Sequence, residues 1–472
     1  MDIVWLFTLK NNDGGYEYLS TRNTFMRDFG NLKGKIIPSK FTGIEATYFD
    51  VVSMTPGRII SGFAIPSENK EDDYKSGQVA IHLFVFGTVG FTSAWSFNIS
   101  SCYKYEGLSY FELEDTFAKK IEKNYPEELI EDTISFKNKP YNDNYAVPEI
   151  FSKAYIPLRL LVVDGQDTEV RDSNDNVIGE TQDYYFMGHA YNENGDEITY
   201  DITEITYPDS GEKYLINPLE VEWFTISGRN NKKYKGFRLS IEDVGNPLWR
   251  NGEYFLDMPA LIYRNDRLLY NNPEKILQKI CGIPMTGWSD DIKLSGGIYH
   301  QKKMADYLFN IMISADCNFK SEYQIIEPFS TYVLKNGEIQ KDQMSYKLKI
   351  ESQQSKKDNI DGAYVAWNDE TECQNIFKIE ALNCGNLSNE VLELPFVHTS
   401  EMAHAVAESY YKKKYGVLGQ YSLSLHPKLI NSIYPGVQVA FSNQYYGDFG
   451  GIVSDRKIQS NLDTTVFVKR YI

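Results

Sequence analysis

Cysteine is sparse and never clustered in this 472-residue sequence: Cys102, Cys281, Cys317, Cys373 and Cys384 stand far apart. With no CxxC pair, zinc ribbons and iron–sulfur runs are excluded, and free thiols in a reducing compartment are expected. The six histidines, at positions 82, 189, 300, 398, 404 and 426, offer no HExxH and no close metal pair. GxSxG, GxxxxGK[ST] and a strand-linked GxGxxG are all missing, which removes hydrolase-elbow, P-loop and dinucleotide readings. Positive charge is short as well. Lys and Arg total 48 against 65 Asp and Glu, a net −17 at pH 7. A protein that grips nucleic acid by neutralising phosphates needs the opposite balance. No apolar run approaches the roughly 18 residues of a membrane helix, so no membrane-spanning segment is expected. The start, Met1 to Lys10, has no basic leader and reads as a first β-strand. Synthesis and folding in the cytoplasm, without general secretory export, are expected.

What the sequence does have is tyrosine. Aromatics reach 14%, with 35 Tyr and 26 Phe beside only 6 Trp. Tyrosine among Thr, Val and Ile runs favours strands and polar-faced interfaces. Hydrophobic residues at 42% and charged residues at 24% are ordinary for a folded chain, and the length suggests about three domains at roughly 150 residues each.

The first hundred residues alternate strand and turn. Ile3 to Leu9 meets the hairpin signal Asn11–Asn12–Asp13–Gly14–Gly15. The run from Val79 to Val89 is almost wholly apolar, which predicts a strand buried on both faces. Leu113, Phe117 and Ile121 repeat every four residues and predict a helix over 112–123. Strands are expected again from Ile156, including Tyr184 to Tyr191 and Glu197 to Ile205 around the turn Asn194–Gly195. Asn272, Pro273 and Gly282 frame a short helix as N-cap, first residue and terminator. Further helices are expected from Gln301 to Ser314 and over 401–415, the latter capped by Thr399 or Ser400. The fold class is therefore mainly β with inserted helices.

No catalytic constellation emerges. Glu112, Glu114 and Asp115, like Asp290 and Asp291, read as solvated charge. The stretch Asp172 to Asn176 begins like a calcium loop, but Val177 stands where the loop needs Gly and Asp183 where it needs Glu. A plain hairpin turn fits better. His189 and His404 read as structural or solvent-facing, and alanine at Asp290, Asp291, His189 or His404 is expected to leave assembly nearly intact. Trp95, Trp223, Trp249 and Trp288 are candidate platforms for sugar stacking, against the commoner alternative of burial. No cofactor and no metal is implied.

Three segments carry a resemblance. Met258 to Leu269 with the helix at 301–314 and the run Phe319 to Ile326 resembles a helix–hairpin subdomain. Asn359 to Asp369 with Phe377 to Ala381 looks like a strand pair re-entering a tube-like barrel. The helix Met402 to Lys414 leads to Tyr421–Leu425, then to Pro435–Gly436 and to Gly450–Asp455 before a last hairpin. In that order these elements resemble the tail hub and tail-tip proteins of tailed bacteriophages, meaning baseplate hubs and the central region of siphophage host-specificity proteins. The resemblance covers residues 255–472 and, more faintly, 1–65.

The resemblance implies a structural virion protein and not an enzyme: a trimeric tail hub that continues the tail tube and lines the DNA exit channel. It implies two tail-tube-like β-barrels with accessory β and helix–hairpin subdomains. Residues 1–145 would form a tube-like domain, 146–260 a β-rich accessory domain, 261–358 a helical and hairpin subdomain, and 359–472 a second barrel. Partners would be further copies of the chain, distal tail and tube proteins, the tape measure protein and tip or fibre proteins. Genomic DNA would pass through without specific binding. Two other readings stay open: a carbohydrate-binding or glycan-degrading tail protein, and an unrelated multidomain β assembly protein. Pro435 and Gly436 are expected to form a type II turn that sets the register of Val437, Val439 and Phe441.

Overall fold

The computed structural model describes residues 2–21, 34–36, 40–47, 50–66, 77–86, 90–133, 145–157, 169–171, 177–180, 185–192, 194–207, 212–239, 261–265, 272–282, 293–320, 325–328, 331–334, 349–353, 364–367, 378–381, 391–415, 417–425, 427–443 and 447–471. The chain is mainly β, arranged in several sheets, with five α-helices among the described residues.

β1 (Asp2–Lys10) turns through Asn11–Gly15 into β2 (Tyr16–Ser20), setting Lys10 opposite Tyr16. β3 (Gly34–Ile36) lies parallel to β2. β4 (Ile44–Thr47), β5 (Ile59–Pro66), β6 (Gln78–Phe86), β7 (Phe91–Tyr105) and β8 (Leu108–Asp115) extend this sheet with antiparallel pairing. The expectation that the apolar run of β6 is buried on both faces needs correcting. Val79, Ile81, Leu83 and Val85 are buried, His82 and Phe84 are half-buried, and Phe86 is exposed. Only one face of the sheet packs onto the core formed with Trp5, Phe63 and Phe111.

The helix expected over 112–123 is shorter. Residues up to Asp115 belong to β8, where Ser109, Phe111 and Leu113 alternate inward, and α1 covers only Thr116–Ile121. Asp115 makes the junction: its carboxylate accepts the Phe117 and Ala118 N–H groups at 2.9 Å and the Ile59 N–H at 2.6 Å. The four-residue spacing was a coincidence between a strand position and two helix positions.

β9 (Asn124–Tyr125), α2 (Ile130–Thr133), β10 (Tyr145–Phe151), β11 (Lys153–Pro157), β12 (Glu169–Arg171) and β13 (Val177–Glu180) follow. The Asp172–Asn176 stretch lies outside the described residues, and β12 and β13 on either side of it pair with each other. β14 (Tyr185–His189), β15 (Ile202–Tyr207), β16 (Glu212–Leu215), β17 (Val221–Ser227), β18 (Lys233–Leu239) and β19 (Leu261–Asn265) build two small sheets, β14–β18–β17 and β11–β19–β15–β16. Ile156, Met187, Ile205 and Phe237 pack between them. At the Asn194–Gly195 turn the expected strand pair reduces to one bridge, Tyr191 with Glu197.

α3 (Pro273–Cys281) has the anticipated cap, the Asn272 side chain accepting the Glu274 N–H at 2.8 Å, and it ends at Gly282. β20 (Gly296–His300) and β21 (Lys302–Lys303) precede α4 (Met304–Ser314). α4 starts at Met304 and not Gln301, because β21 is taken up in pairing with β9. β22 (Cys317–Lys320) and β23 (Ile325–Pro328) form a hairpin. β24 (Thr331–Leu334) and β25 (Lys349–Gln353) come next, then β26 (Tyr364–Trp367), β27 (Lys378–Ala381) and β28 (Val391–Leu394). The pair β26–β27 does not re-enter a C-terminal barrel. It forms its own sheet with β28, whose Leu392 and Leu394 point into a helical core.

α5 (Ser400–Tyr415) is capped by Thr399, whose hydroxyl accepts the Met402 N–H at 3.3 Å. Its Val406 and Tyr410 are buried. They share one core with Ile121 of α1, Ile280 of α3 and Leu308 of α4. The helices therefore pack on one another and not singly against separate barrels.

β29 (Val417–Leu425), β30 (Gln438–Asn443), β31 (Gly447–Ile458) and β32 (Thr464–Tyr471) complete the chain. β24 joins β30, β25 joins β29, and β31 pairs with β4. Strands from both ends of the sequence thus belong to one 14-stranded sheet. Among the described residues this sheet does not close into a barrel.

Candidate functional site

Two joints hold this architecture together. The first is the β31–β4 seam, where Asp455 lies opposite Thr47 and Ile458 opposite Ile44. Gly43 enters it at φ +88°, and a Cβ there would stand 2.0 Å from the Ile458 carbonyl oxygen. The backbones meet only because no side chain intervenes. Arg456 of β31 is 1% exposed. Its guanidinium donates to the carbonyls of Ile430 and Ile433, the latter at 3.1 Å. Ile430 packs with the N-terminal core around Trp5 and Phe7, whereas Ile433 packs with Leu423, Val439 and Val453. One buried cation therefore fixes a segment that plugs two cores. Burial pushes its proton affinity down, and both carbonyl bonds are made by its Nη1.

Two more contacts cross the seam. The Trp5 indole N–H donates to the Ser460 carbonyl at 2.9 Å, and Lys469 Nζ donates to Asp50 Oδ2 at 3.0 Å. Burial works to raise the Asp50 pKa, but Lys469 and the Val52 and Ser53 N–H groups outweigh it and hold the carboxyl below the usual range.

Just before β30, Val437 N–H donates to the Tyr434 carbonyl at 3.1 Å across Pro435 and Gly436, and Gly436 has φ +94°. Gly436 N–H also donates to the Val453 carbonyl at 2.8 Å, tying the corner to β31. Val437 and Val439 are buried; the Phe441 side chain lies outside the described residues.

The second joint lies where the β17–β18 hairpin meets the segment leading into α2. Glu128 accepts from Asn230 Nδ2 at 2.8 Å, from Lys232 Nζ at 2.5 Å and from the Tyr234 hydroxyl. His189 Nε2 stands 3.6 Å from Glu128 Oε2, with its ring stacked on Tyr234 at 5.3 Å between centroids. Burial works to raise Glu128, yet Lys232, Tyr234, His189 and Asn230 together bring it below the usual range. Behind this cluster sit Ile130, Val147 and Phe186.

Few of the residues singled out in the sequence meet here. His189 is neither exposed nor isolated, which fits the structural one of its two readings and not the solvent-facing one. His404 is half-buried on α5. Asp290 and Asp291 lie outside the described residues. Trp95 is 4% exposed inside the N-terminal core and offers no stacking platform. Trp223 is 37% exposed, and Trp249 and Trp288 lie outside the described residues. Cys281 and Cys317 are buried, which pushes the Cys281 thiol up to about 12 and Cys317 higher than usual. Among the described residues no group of three or more His, Cys, Asp or Glu could hold a metal, and no helix is long and apolar enough to cross a membrane. Arg456 and Glu128 were missed. Arg456 left a trace, since it shares strand parity with Ile458 on the inward face. Glu128 left none.

No family model matches the sequence, and no curated protein matches it. Solved structures similar to the chain are phage tail proteins and related particles. A chain in the virion of a native gene transfer agent particle has a TM-score of 0.44 at 9% identity, covering 76% of this chain and 92% of that one. The prophage tail protein gp18 from Listeria monocytogenes EGD-e has a TM-score of 0.40 at 8% identity, covering 99% of this chain and 94% of that one. A 43 kDa tail protein of prophage MuSo2 from Shewanella oneidensis has a TM-score of 0.39 at 7% identity, covering 99% of this chain and 97% of that one.

Proposed function

We propose that this chain is a structural, non-enzymatic protein of a phage virion, made in the host cytoplasm and built into the tail as its hub. The observation that carries this reading is the order of elements in the second half. α4 runs into the β22–β23 hairpin; α5 runs into β29, the Pro435–Gly436 corner, and the strands β30, β31 and β32. That is the order by which the sequence resembles tail and baseplate hubs.

On this reading β1–β8 and β29–β32 are the two tube-like units of one subunit, and three subunits form a ring. The −17 charge suits a channel wall that lets DNA slide without holding it. Distal tail, tube, tape measure and tip or fibre proteins are its neighbours. Mass photometry and electron microscopy of the purified protein test the proposal. Particles of three times 54.3 kDa with a central hole are expected, and a compact monomer at all concentrations would sink it.

A further inference from the structure

The β17–β18 hairpin is held against the segment before α2 by a small charged cluster containing one group that titrates near neutral pH. We propose that protonation of His189 unlatches the β14–β18–β17 sheet from the Glu128–Thr133 segment, making this joint an acid-sensitive hinge within the chain.

Charged and titratable groups face His189 from every element around it. Glu128 precedes α2, Lys232 and Tyr234 come from the β17–β18 hairpin, Glu149 from β10 and Lys279 from α3. Lys232 Nζ is 2.5 Å from Glu128, and Lys279 Nζ is 3.5 Å from Glu149. Tyr125 also donates its hydroxyl to Glu149, at 2.6 Å. With His189 neutral, the two ammonium groups face two carboxylates and the charges balance. A proton on His189 adds a third cation where both carboxylates are already engaged.

Its 3.6 Å separation from Glu128 is too long for a hydrogen bond. Glu128 already carries the Asn230, Lys232 and Tyr234 bonds that hold the hairpin, and an imidazolium at His189 competes with those donors for the same carboxylate. The Tyr200 hydroxyl donates to the His189 carbonyl at 2.6 Å and fixes the backbone from which the ring projects. The Arg229 N–H bond to the Thr133 carbonyl, at 2.8 Å, and a small apolar core also join the two sides.

Burial is the largest influence on His189 and lowers it below the usual histidine range; Glu128 and Glu149 oppose this, and Lys232 and Lys279 add to it. A base lowered in the closed state keeps the joint shut above about pH 6.5. The stabilisation is lost as pH falls through the closed-state value.

Hydrogen–deuterium exchange on the full chain at pH 7.5 and 5.5, corrected for intrinsic exchange, tests the hinge. Amides in 185–189 and 233–237 are expected to open about tenfold more at the lower pH. His189→Gln should bring that ratio close to one. If His189→Gln does not fold, His189→Phe keeps a ring on Tyr234 without a titrating proton and should give the same flat result. A wild-type ratio near one, or an undiminished rise in the folded variant, overturns the proposal.

Discussion

Arg456 reaches from β31 to the Ile433 carbonyl at 3.1 Å, and by that bond a buried cation spans two hydrophobic cores. The relationship matters because neither core alone positions the 427–433 segment. Ile430 and Ile433 insert in different directions, and the guanidinium fixes the carbonyls of both.

Arg456→Ala should therefore cost about 3–5 kcal/mol, through two buried carbonyls left without their donor and a cavity beside them. Urea unfolding measures it. A loss below about 1 kcal/mol would show that the seam does not depend on this side chain.

Gly43→Ala should be nearly as damaging although it adds one methyl group. The new Cβ meets the Ile458 carbonyl, and φ +88° is itself strained for alanine. A cost above about 3 kcal/mol is expected from clash and backbone strain together. Thermal melting reads it directly, and an unchanged Tm would mean that the β31–β4 pairing is not formed.

The Asp50–Lys469 contact predicts a pH dependence. The folded Asp50 carboxyl is held below its free value, so its stabilisation is present above the usual aspartate range and is lost as pH falls through the folded value. Asp50→Asn should cost about 1–3 kcal/mol at pH 7. Unfolding curves of the two proteins should converge below about pH 4, and parallel curves down to acid pH would contradict the assignment.

Gly436→Val tests the corner before β30. A β-branched residue at φ +94° should cost about 1–3 kcal/mol and reduce assembly of the proposed ring as the strand register loosens. Differential scanning calorimetry with mass photometry decides it; a variant that melts and assembles like the wild type removes the turn from the argument.

Local chemistry was readable in advance where it was self-contained. Asn272, Pro273 and Gly282 delimited α3, Asn11–Gly15 placed the first hairpin, and Thr399 capped α5. Misreadings arose where a pattern crossed an element boundary or depended on distant neighbours. Leu113, Phe117 and Ile121 share a spacing but not a helix, because Asp115 caps between them. The faces of β6 differ because only one of them meets the core. The meeting of Glu128 with His189, and of Gly43 with Ile458, is set by tertiary packing, for which no short-range pattern exists.

The β4–β31 pairing also has a consequence in time. During translation β4 emerges with β5 as its partner on one side, while the other side waits for residues 455–458, more than 400 positions later. Until then its open backbone edge is a template for wrong partners. Contacts of such sequence separation slow folding, because loop closure must precede the gain they bring. Nascent chains stalled short of residue 455 should thus be the species most prone to aggregate, because β31 is what closes the open edge of β4.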